Sequence, residues 1–150
     1  ENDDGTLRIT LNGAENRRTL AGHFLAEQFG SAVQHLAFAC DDIFSTAKLL
    51  RSFGFQPLQI SPNYYDDLAA RFALDGAMLQ ALRAQNILYD RDDAGEYFQL
   101  YSPNYRAGFF FEIVERRGAY KGYGAANAQF RIAAQKRTLP GRGMPGTPQS

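Results

Sequence analysis

The chain has 150 residues, of which 45% are hydrophobic and 13% aromatic, a composition that excludes a disordered segment and predicts one compact domain. Its 16 basic residues balance 16 acidic ones without forming a basic stripe, so we expect no nucleic-acid surface and instead a small-molecule partner. The single cysteine, Cys40, cannot form an internal disulfide, and neither a signal segment nor an apolar run of ~18 residues stands out, which excludes a membrane helix and favours a cytoplasmic protein.

Residues 1–30 predict a strand followed by a connecting helix. Apolar and polar side chains alternate over residues 7–11, as in a strand with one face on a core. Apolar residues then recur at helical spacing over residues 20–25, and Gly30 lies where such a helix would stop. This pair looks like the end of an earlier unit.

From Val33 onward the pattern predicts a strand-helix-strand unit, a helical insert and three further strands. Asp41-Asp42 would cap the first helix, and Gly54 would end it. The predicted elements are a strand at 33–40, a helix at 43–53, a strand at 55–60, short helices from Asn63 and from Asp75, a hairpin within 87–102 and a strand at 109–116.

Two ionisable residues stand among apolar ones in these predicted strands. His35 lies within VQHLAFAC, and Glu112 lies within FFFEIV. If the strand faces that carry His35, Gln99 and Glu112 line one side of a sheet, the three side chains converge on a common cavity. An imidazole and a carboxylate are two thirds of a facial triad that binds a metal ion, so a second histidine is missing.

Each of the two residues also has an explanation without a metal. A histidine in a strand is more often a hydrogen-bonded core residue than a ligand. A buried carboxylate needs a cation or a hydrogen-bonding partner, and Arg106 or Arg116 would supply one as an ion pair with Glu112. The pattern alone leaves both explanations open.

The chain itself offers two poor candidates for a further ligand. His23 is the other of the two histidines, but it lies on the predicted connecting helix and has no fixed relation to the sheet face. Cys40 lies on the opposite strand face from His35, and it is better explained as a small buried hydrophobic residue.

Five stretches of the sequence carry a family resemblance: VQHLAFACDDIF, NYYDDLAARF, ILYDRDDAGEYFQLYS, FFFEIVERRG and GYGAAN. In this order and spacing they resemble the C-terminal half of 4-hydroxyphenylpyruvate dioxygenases, members of the vicinal-oxygen-chelate superfamily, over about residues 7–135. The resemblance implies an α+β fold of the glyoxalase/dioxygenase-like type, in which a βαβββ module forms a curved mixed sheet and part of a preceding module is present.

The same resemblance implies a metal site. The family holds a divalent metal with two histidines and one glutamate, and here His35 matches the second histidine and Glu112 the glutamate. We expect Fe(II) first, with Mg, Mn, Co or Zn as alternatives. The family's first histidine lies in the preceding module, so we expect the third ligand upstream of residue 1 and expect this fragment alone to be inactive.

The resemblance also implies a domain division and a substrate pocket. We expect residues 1–30 to end a truncated preceding module, residues 31–135 to form the complete metal-binding module and residues 136–150 to be a flexible tail. Three positions depart from the family pattern. Leu20 replaces a glutamine, Tyr101 replaces a phenylalanine, and Ala128 replaces the phenylalanine that follows the family's Gly-Asn pair. The positions implied to bind substrate are Asn12, Gln34, Gln99, Tyr101, Phe110 and Asn127.

The ending YGAANAQFRIAAQ, with ILYDRD and NYYDDLAARF, looks more like a specific group. These are bacterial two-domain proteins in which a TIM-barrel 3-dehydroshikimate dehydratase precedes a dioxygenase-like domain. In that group the barrel dehydrates 3-dehydroshikimate to protocatechuate with its own divalent metal. The implied partners of this chain are therefore the missing N-terminal part of the same polypeptide and an aromatic or 2-oxo acid substrate.

Three functional hypotheses follow. The first is the metal-binding C-terminal part of such a dehydratase. The second is an Fe(II)-dependent dioxygenase acting on 4-hydroxyphenylpyruvate in tyrosine catabolism. The third is a non-catalytic ligand-binding or dimerising domain, and an unpaired strand edge at residues 7–11 would favour a homo-oligomer.

Overall fold

The structure is a computed structural model that describes residues 2–3, 6–11, 13, 19–105 and 108–138. In this part of the chain four strands form one open mixed sheet with helices packed against it, which confirms the expected α+β fold class. The strands are β1 (His35–Ala39), β2 (Leu88–Arg91), β3 (Gly95–Tyr101) and β4 (Phe110–Gly118); the helices are α1 (Leu20–Glu27), α2 (Ile43–Ser52), α3 (Pro62–Phe72), α4 (Gly76–Gln85) and α5 (Ala128–Thr138), with a 3-10 turn at Ala125–Asn127 before α5.

The strands lie side by side in the order β1, β4, β3, β2. β1 runs parallel to β4, with His35 opposite Phe110, whereas β3 pairs antiparallel with β4, with Tyr101 opposite Glu112. β4 therefore lies between the strands that carry His35 and Tyr101. Because side chains alternate along each strand, this register places the histidine, the tyrosine and the carboxylate on one face of the sheet.

The hydrophobic core packs helices against the sheet. Phe44 of α2 meets Phe98 of β3 edge to face, with ring centroids 6.0 Å apart. Tyr64 and Leu68 of α3 are fully buried in the same cluster. Burial of these side chains supplies most of the driving force for folding, at about 1.5–3 kcal/mol for each large apolar side chain.

Aspartates begin two of the helices, as the sequence predicts. Asp42 accepts hydrogen bonds from the backbone N–H groups of Phe44 and Ser45 at the start of α2. Asp75 does the same at the start of α4. These side chains satisfy backbone donors that the first turn of a helix leaves unpaired.

Two predicted strands are wrong. Residues 7–11 lie outside the sheet, because no strand pairs with them in the part of the chain that the structure describes. Their apolar side chains, Leu7, Ile9 and Leu11, are exposed. Residues 55–60 form no strand either. The alternation of apolar residues in this segment reflects burial, because Leu58 and Ile60 pack into the core. The backbone N–H of Leu58 donates a hydrogen bond to the backbone oxygen of Tyr101.

The last helix extends into the residues that were predicted to form a tail. α5 continues to Thr138, so residues 136–138 are helical and not part of a flexible tail. The remainder of the predicted tail lies outside the described residues, and the predicted division at residues 30 and 135 stays a prediction. Within the part of the chain that is described, no helix has both the length and the apolarity needed to cross a membrane.

Candidate metal centre

His35 and Glu112 face each other across the pair of parallel strands. Nε2 of His35 lies 3.5 Å from Oε2 of Glu112. The Glu112 residue is 6% exposed, whereas the imidazole is half-buried. Nε2 of His35 and Oε2 of Glu112 therefore face each other where the sheet borders a cleft.

The second oxygen of Glu112 is held by two neighbours on β3. Gln99 Nε2 and the Tyr101 hydroxyl each donate to Oε1, both over 2.9 Å. Gln99 Nε2 also lies 2.6 Å from the Tyr101 oxygen, so the three side chains form a closed cluster. Because Oε1 takes both donors, the carboxylate is fixed with Oε2 directed toward His35.

Burial affects the protonation of His35 and Tyr101. Burial lowers the pKa of His35 below its ordinary value, and this effect outweighs the opposing influence of the Glu112 carboxylate. The imidazole is therefore neutral at pH 7. Burial and the nearby carboxylate raise the pKa of Tyr101 well above 10, so its hydroxyl stays protonated and donates to Glu112.

The imidazole ring is oriented by an aromatic neighbour. It stacks on the ring of Phe110, its register partner on β4, with centroids 4.8 Å apart and planes 4° from parallel. Its second nitrogen, Nδ1, is buried and has no hydrogen-bond partner among the described residues. Stacking therefore sets the direction of the ring in this part of the structure.

Behind the Glu112 cluster a chain of hydrogen bonds ties the sheet to the C-terminal segment. Asn127, 1% exposed, donates to Gln99 Oε1 over 2.8 Å and accepts from the Tyr64 hydroxyl over 3.0 Å. That tyrosine in turn accepts from the backbone N–H of Tyr89 over 2.7 Å. The orientation of Gln99, and through it of Glu112, thus depends on residues from α3 and from the turn before α5.

The pair opens onto a half-open cleft of about 280 Å³. Its walls combine the sheet residues with the last part of the chain, and the aromatic rings among them are those of Tyr97, Tyr101, Phe110 and Tyr123. Ala128 and Arg131 of α5 also line it. The cleft is large enough for a small aromatic or cyclic molecule.

The donor set fits a divalent metal ion. Two ligand atoms bound to one ion at about 2.1 Å each lie roughly 3.0–3.5 Å apart, and the His35–Glu112 separation of 3.5 Å agrees with this. A neutral imidazole and a carboxylate together suit Fe, Mn, Co or Zn. No group of three metal-ligating side chains occurs among the described residues, so His35 and Glu112 stand there as a pair of possible ligands.

The other predicted partners lie elsewhere. Arg116 donates to the backbone oxygen of Gly122 and stacks over Tyr97, and no ion pair with Glu112 is present in the part of the chain described, so the predicted Arg116 ion pair is wrong. His23 is exposed on α1. Cys40 is partly buried against the core, where burial raises the pKa of its thiol.

The six predicted substrate-binding positions have different outcomes. Gln99, Tyr101, Phe110 and Asn127 all lie at the Glu112 cluster or support it, as described above. Gln34 is placed by its backbone, whose oxygen accepts from the Phe110 N–H over 3.2 Å. Asn12 lies outside the described residues, as does Arg106, the other predicted ion-pair partner of Glu112. The roles of the six positions toward a substrate stay predictions.

Sequence reasoning missed two residues of the site. Tyr64 supports Asn127 from α3, and Arg131 reaches the cleft from α5. A signal for Arg131 was present, because it follows Asn127 by four positions, which is one helical turn on the same face. No spacing along the chain links Tyr64 to Asn127, since that contact arises only from tertiary packing.

The chain is similar to several proteins of known name. No protein-family model matches the chain. A 3-dehydroshikimate dehydratase of Pseudomonas putida is 48% identical over 138 residues, which are 91% of this chain and 22% of that protein. A solved structure described as a xylose isomerase-like TIM barrel/4-hydroxyphenylpyruvate dioxygenase fusion protein superposes with a TM-score of 0.77 at 48% identity, over 90% of this chain and 22% of that one. The chain is therefore similar to one part of a 3-dehydroshikimate dehydratase and of a dioxygenase-containing fusion protein.

The chain is also similar to part of a dioxygenase that is not fused to a dehydratase. It is 32% identical over 125 residues to the 4-hydroxyphenylpyruvate dioxygenase of Pseudomonas aeruginosa, covering 82% of this chain and 35% of that enzyme. The chain thus spans about a fifth of the length of the matching dehydratase and about a third of the dioxygenase.

Proposed function

We propose that this chain is the metal-binding C-terminal domain of a cytoplasmic two-domain 3-dehydroshikimate dehydratase, an enzyme that converts 3-dehydroshikimate to protocatechuate in aromatic catabolism. The 48% identity to the Pseudomonas putida dehydratase over 91% of the chain supports this assignment. The fusion of a TIM barrel with a dioxygenase-like part in the matching structure supports the two-domain arrangement. In this proposal the dehydration belongs to the barrel, and the domain described here holds a second metal.

One observation carries the metal-binding part of the proposal. Oε1 of Glu112 is held by Gln99 and Tyr101, while Oε2 faces the neutral His35 Nε2 at 3.5 Å. A buried carboxylate oriented in this way, with no arginine or lysine paired to it among the described residues, is best stabilised by a bound cation. His35 and Glu112 would hold a divalent ion, with Fe(II) as our first choice.

The metal and the protein would contribute different chemistry. When bound, the ion would supply Lewis-acid chemistry to the oxygen atoms of a chelating acid and, as Fe(II), the capacity to activate oxygen. Gln99 and Tyr101 would keep Glu112 in place. Phe110 would fix the imidazole, and Tyr97 would restrict water at the wall of the cleft. We place the third ligand, a histidine, outside this sequence, so that the fragment alone would be inactive.

A second candidate function is an Fe(II)-dependent dioxygenase acting on 4-hydroxyphenylpyruvate. The 32% identity to the Pseudomonas aeruginosa dioxygenase favours it, because the matched region includes both metal ligands. Ala128 counts against it: this residue lines the cleft at the position where the family resemblance implies a phenylalanine, so the aromatic wall for that substrate is reduced.

Metal content and oxygen uptake of the two-domain polypeptide separate these functions. If the proposal is correct, elemental analysis finds one metal in the barrel and one here, and Glu112→Gln removes the second while dehydration of 3-dehydroshikimate continues. Oxygen uptake on adding 4-hydroxyphenylpyruvate and Fe(II) would instead support the dioxygenase. Metal content unchanged by Glu112→Gln would contradict both and leave a non-catalytic ligand-binding or dimerising domain.

A further inference from the structure

Arg131 of α5 places a positive charge in the wall of the cleft. Its guanidinium carbon lies 5.0 Å from the ring centroid of Phe110 and 5.6 Å from that of Tyr101. Both rings belong to the walls that surround His35 and Glu112. The guanidinium is therefore part of the same cavity as the candidate metal ligands.

Buried neighbours hold the arginine in this position. Its Nη1 donates to Gln135 Oε1 over 2.7 Å, and Gln135 Nε2 donates to Asn104 Oδ1 over 2.8 Å. Gln135 is 2% exposed. The Arg131 side chain is thus held by the hydrogen bond from Nη1 and by packing on the two rings. Because it is already ordered, it would lose less conformational entropy on binding a ligand.

The charge of Arg131 lacks an anion among the described residues. The ion pairs of arginine in this part of the chain involve Arg83 and Arg117, and none involves Arg131. A guanidinium has five N–H donors, and Gln135 uses one of them. The remaining donors of a guanidinium that lines a half-open aromatic cleft favour a planar anion that accepts two hydrogen bonds.

We propose that Arg131 is an anion-binding residue that recognises the carboxylate of a small aromatic or cyclic acid in the cleft. The fixed guanidinium pairs with the carboxylate, and the rings of Tyr97 and Phe110 contact the apolar body of the ligand. This inference deepens the proposed function, because it names the charge and class of the ligand. It does not require the metal, since Arg131 and the rings are positioned by the protein alone.

A purely structural role predicts different behaviour. If Arg131 serves only to pack on Tyr101 and Phe110 and to bind Gln135, its replacement lowers the stability of the protein without changing the relative affinity for charged and neutral ligands. A pair of ligands that differ only in charge therefore separates the two roles. Benzoate and benzamide are such a pair, because both are planar and similar in size.

The test is a titration of the 150-residue chain with benzoate and with benzamide, followed by NMR in the presence of a chelator. We expect wild type to prefer benzoate and Arg131→Met to lose benzoate affinity by about tenfold or more, as for a charge-assisted hydrogen bond, while benzamide is unaffected. Arg131→Lys should recover part of the loss. Arg137→Met is the matched control, because Arg137 lies on the same helix, is exposed and donates to Gln59.

Three results would overturn the inference: equal affinity of wild type for the two ligands, binding of neither, or an equal loss of both in Arg131→Met. If circular dichroism shows that Arg131→Met does not fold, Arg131→Lys becomes the decisive variant. It keeps the charge but loses the planar fork of the guanidinium, so it must bind benzoate more weakly than wild type and benzamide equally well. The chelator makes these outcomes independent of the metal. Failure of metal binding, tested with Glu112→Gln, would therefore leave this result unchanged.

Discussion

At the scale of single residues, the structure assigns different tasks to the two oxygens of Glu112. Oε1 is saturated by donors from Gln99 and Tyr101, and Oε2 is directed toward His35. Burial of an ionised carboxylate costs several kcal/mol unless hydrogen bonds and a cation offset it. The hydrogen bonds are present in the protein, and the cation is the part that we propose. Residues that orient the carboxylate should consequently affect metal affinity without touching the metal.

Gln99→Leu tests this dependence. The change removes one of the two donors to Oε1 and leaves the Nδ2 group of Asn127 with only its longer hydrogen bond, to the backbone oxygen of Tyr89 at 3.3 Å. We expect metal affinity to fall by about 10–100-fold, as for other residues that support a metal ligand. Calorimetric titration with Co(II) measures the change. Gln56→Leu, at an exposed position, is the control, and equal affinities of the two variants would contradict the supporting role.

At the scale of elements, α5 and the turn before it complete the site. Asn127 joins this turn to Tyr64 of α3 and to Gln99 of β3, all three of which are buried. Gly124 begins the turn in the left-handed conformation, with φ +60°, and a Cβ atom there would collide with the side-chain oxygen of Gln99. The close approach of backbone to Gln99 therefore requires glycine at this position.

Gly124→Ala and Gly54→Ala form a matched pair for this close approach. Both glycines have positive φ, but a Cβ at Gly54 meets no atom within 4 Å. Each variant should lose about 1 kcal/mol of unfolding free energy from the backbone conformation. Gly124→Ala should lose a further ~1–3 kcal/mol, because Gln99 must move. Chemical denaturation measures both values, and equal losses would show that the contact with Gln99 has no energetic weight.

At the scale of the whole molecule, one sheet edge is unprotected in the part of the chain described. β1 hydrogen-bonds to β4 alone there, and Leu36 and Phe38 on this strand are 46% and 51% exposed. Residues 7–11 add exposed apolar side chains. An apolar edge strand of this kind is a template for pairing with another strand. We expect the isolated chain to associate with a second copy through β1.

Sedimentation velocity over a range of protein concentrations tests this expectation. The 150-residue chain should associate as its concentration rises, and Phe38→Glu should shift the chain toward monomer because it places a charge on the edge strand. Phe53→Glu is the control, since Phe53 is 82% exposed at the end of α2 and lies away from this edge. A wild-type chain that stays monomeric at all concentrations would contradict the prediction.

Much of the fold could be predicted because its signals are local. Asp42 and Asp75 begin helices through hydrogen bonds to the next turn, and the strand alternation around His35 and Glu112 fixes which face they share. The convergence of Gln99 with Glu112 followed from the same alternation once three strands were placed in one sheet. Two-residue periodicity and helix caps require no knowledge of distant contacts.

The remainder depended on tertiary structure. Residues 7–11 and 55–60 alternate like strands, but a strand needs a neighbour with which to exchange hydrogen bonds, and the chain pattern does not reveal whether one exists. The ion pair expected from Arg116 failed because that side chain stacks on Tyr97 instead. The spacing of four residues from Asn127 puts Arg131 on the same helical face, but its place in the cleft depends on how α5 packs, which periodicity does not specify.

The most direct test of the account is a calorimetric titration of Co(II) into the wild-type chain and into Glu112→Gln, with Glu27→Gln on the exposed side of α1 as control. The amide can still accept hydrogen bonds from Gln99 and Tyr101, so the fold should persist while the charged ligand atom is lost. We predict that wild type and Glu27→Gln bind one Co(II) with an affinity at least about tenfold above that of Glu112→Gln. Equal affinity in all three proteins would contradict the role of Glu112 as a metal ligand.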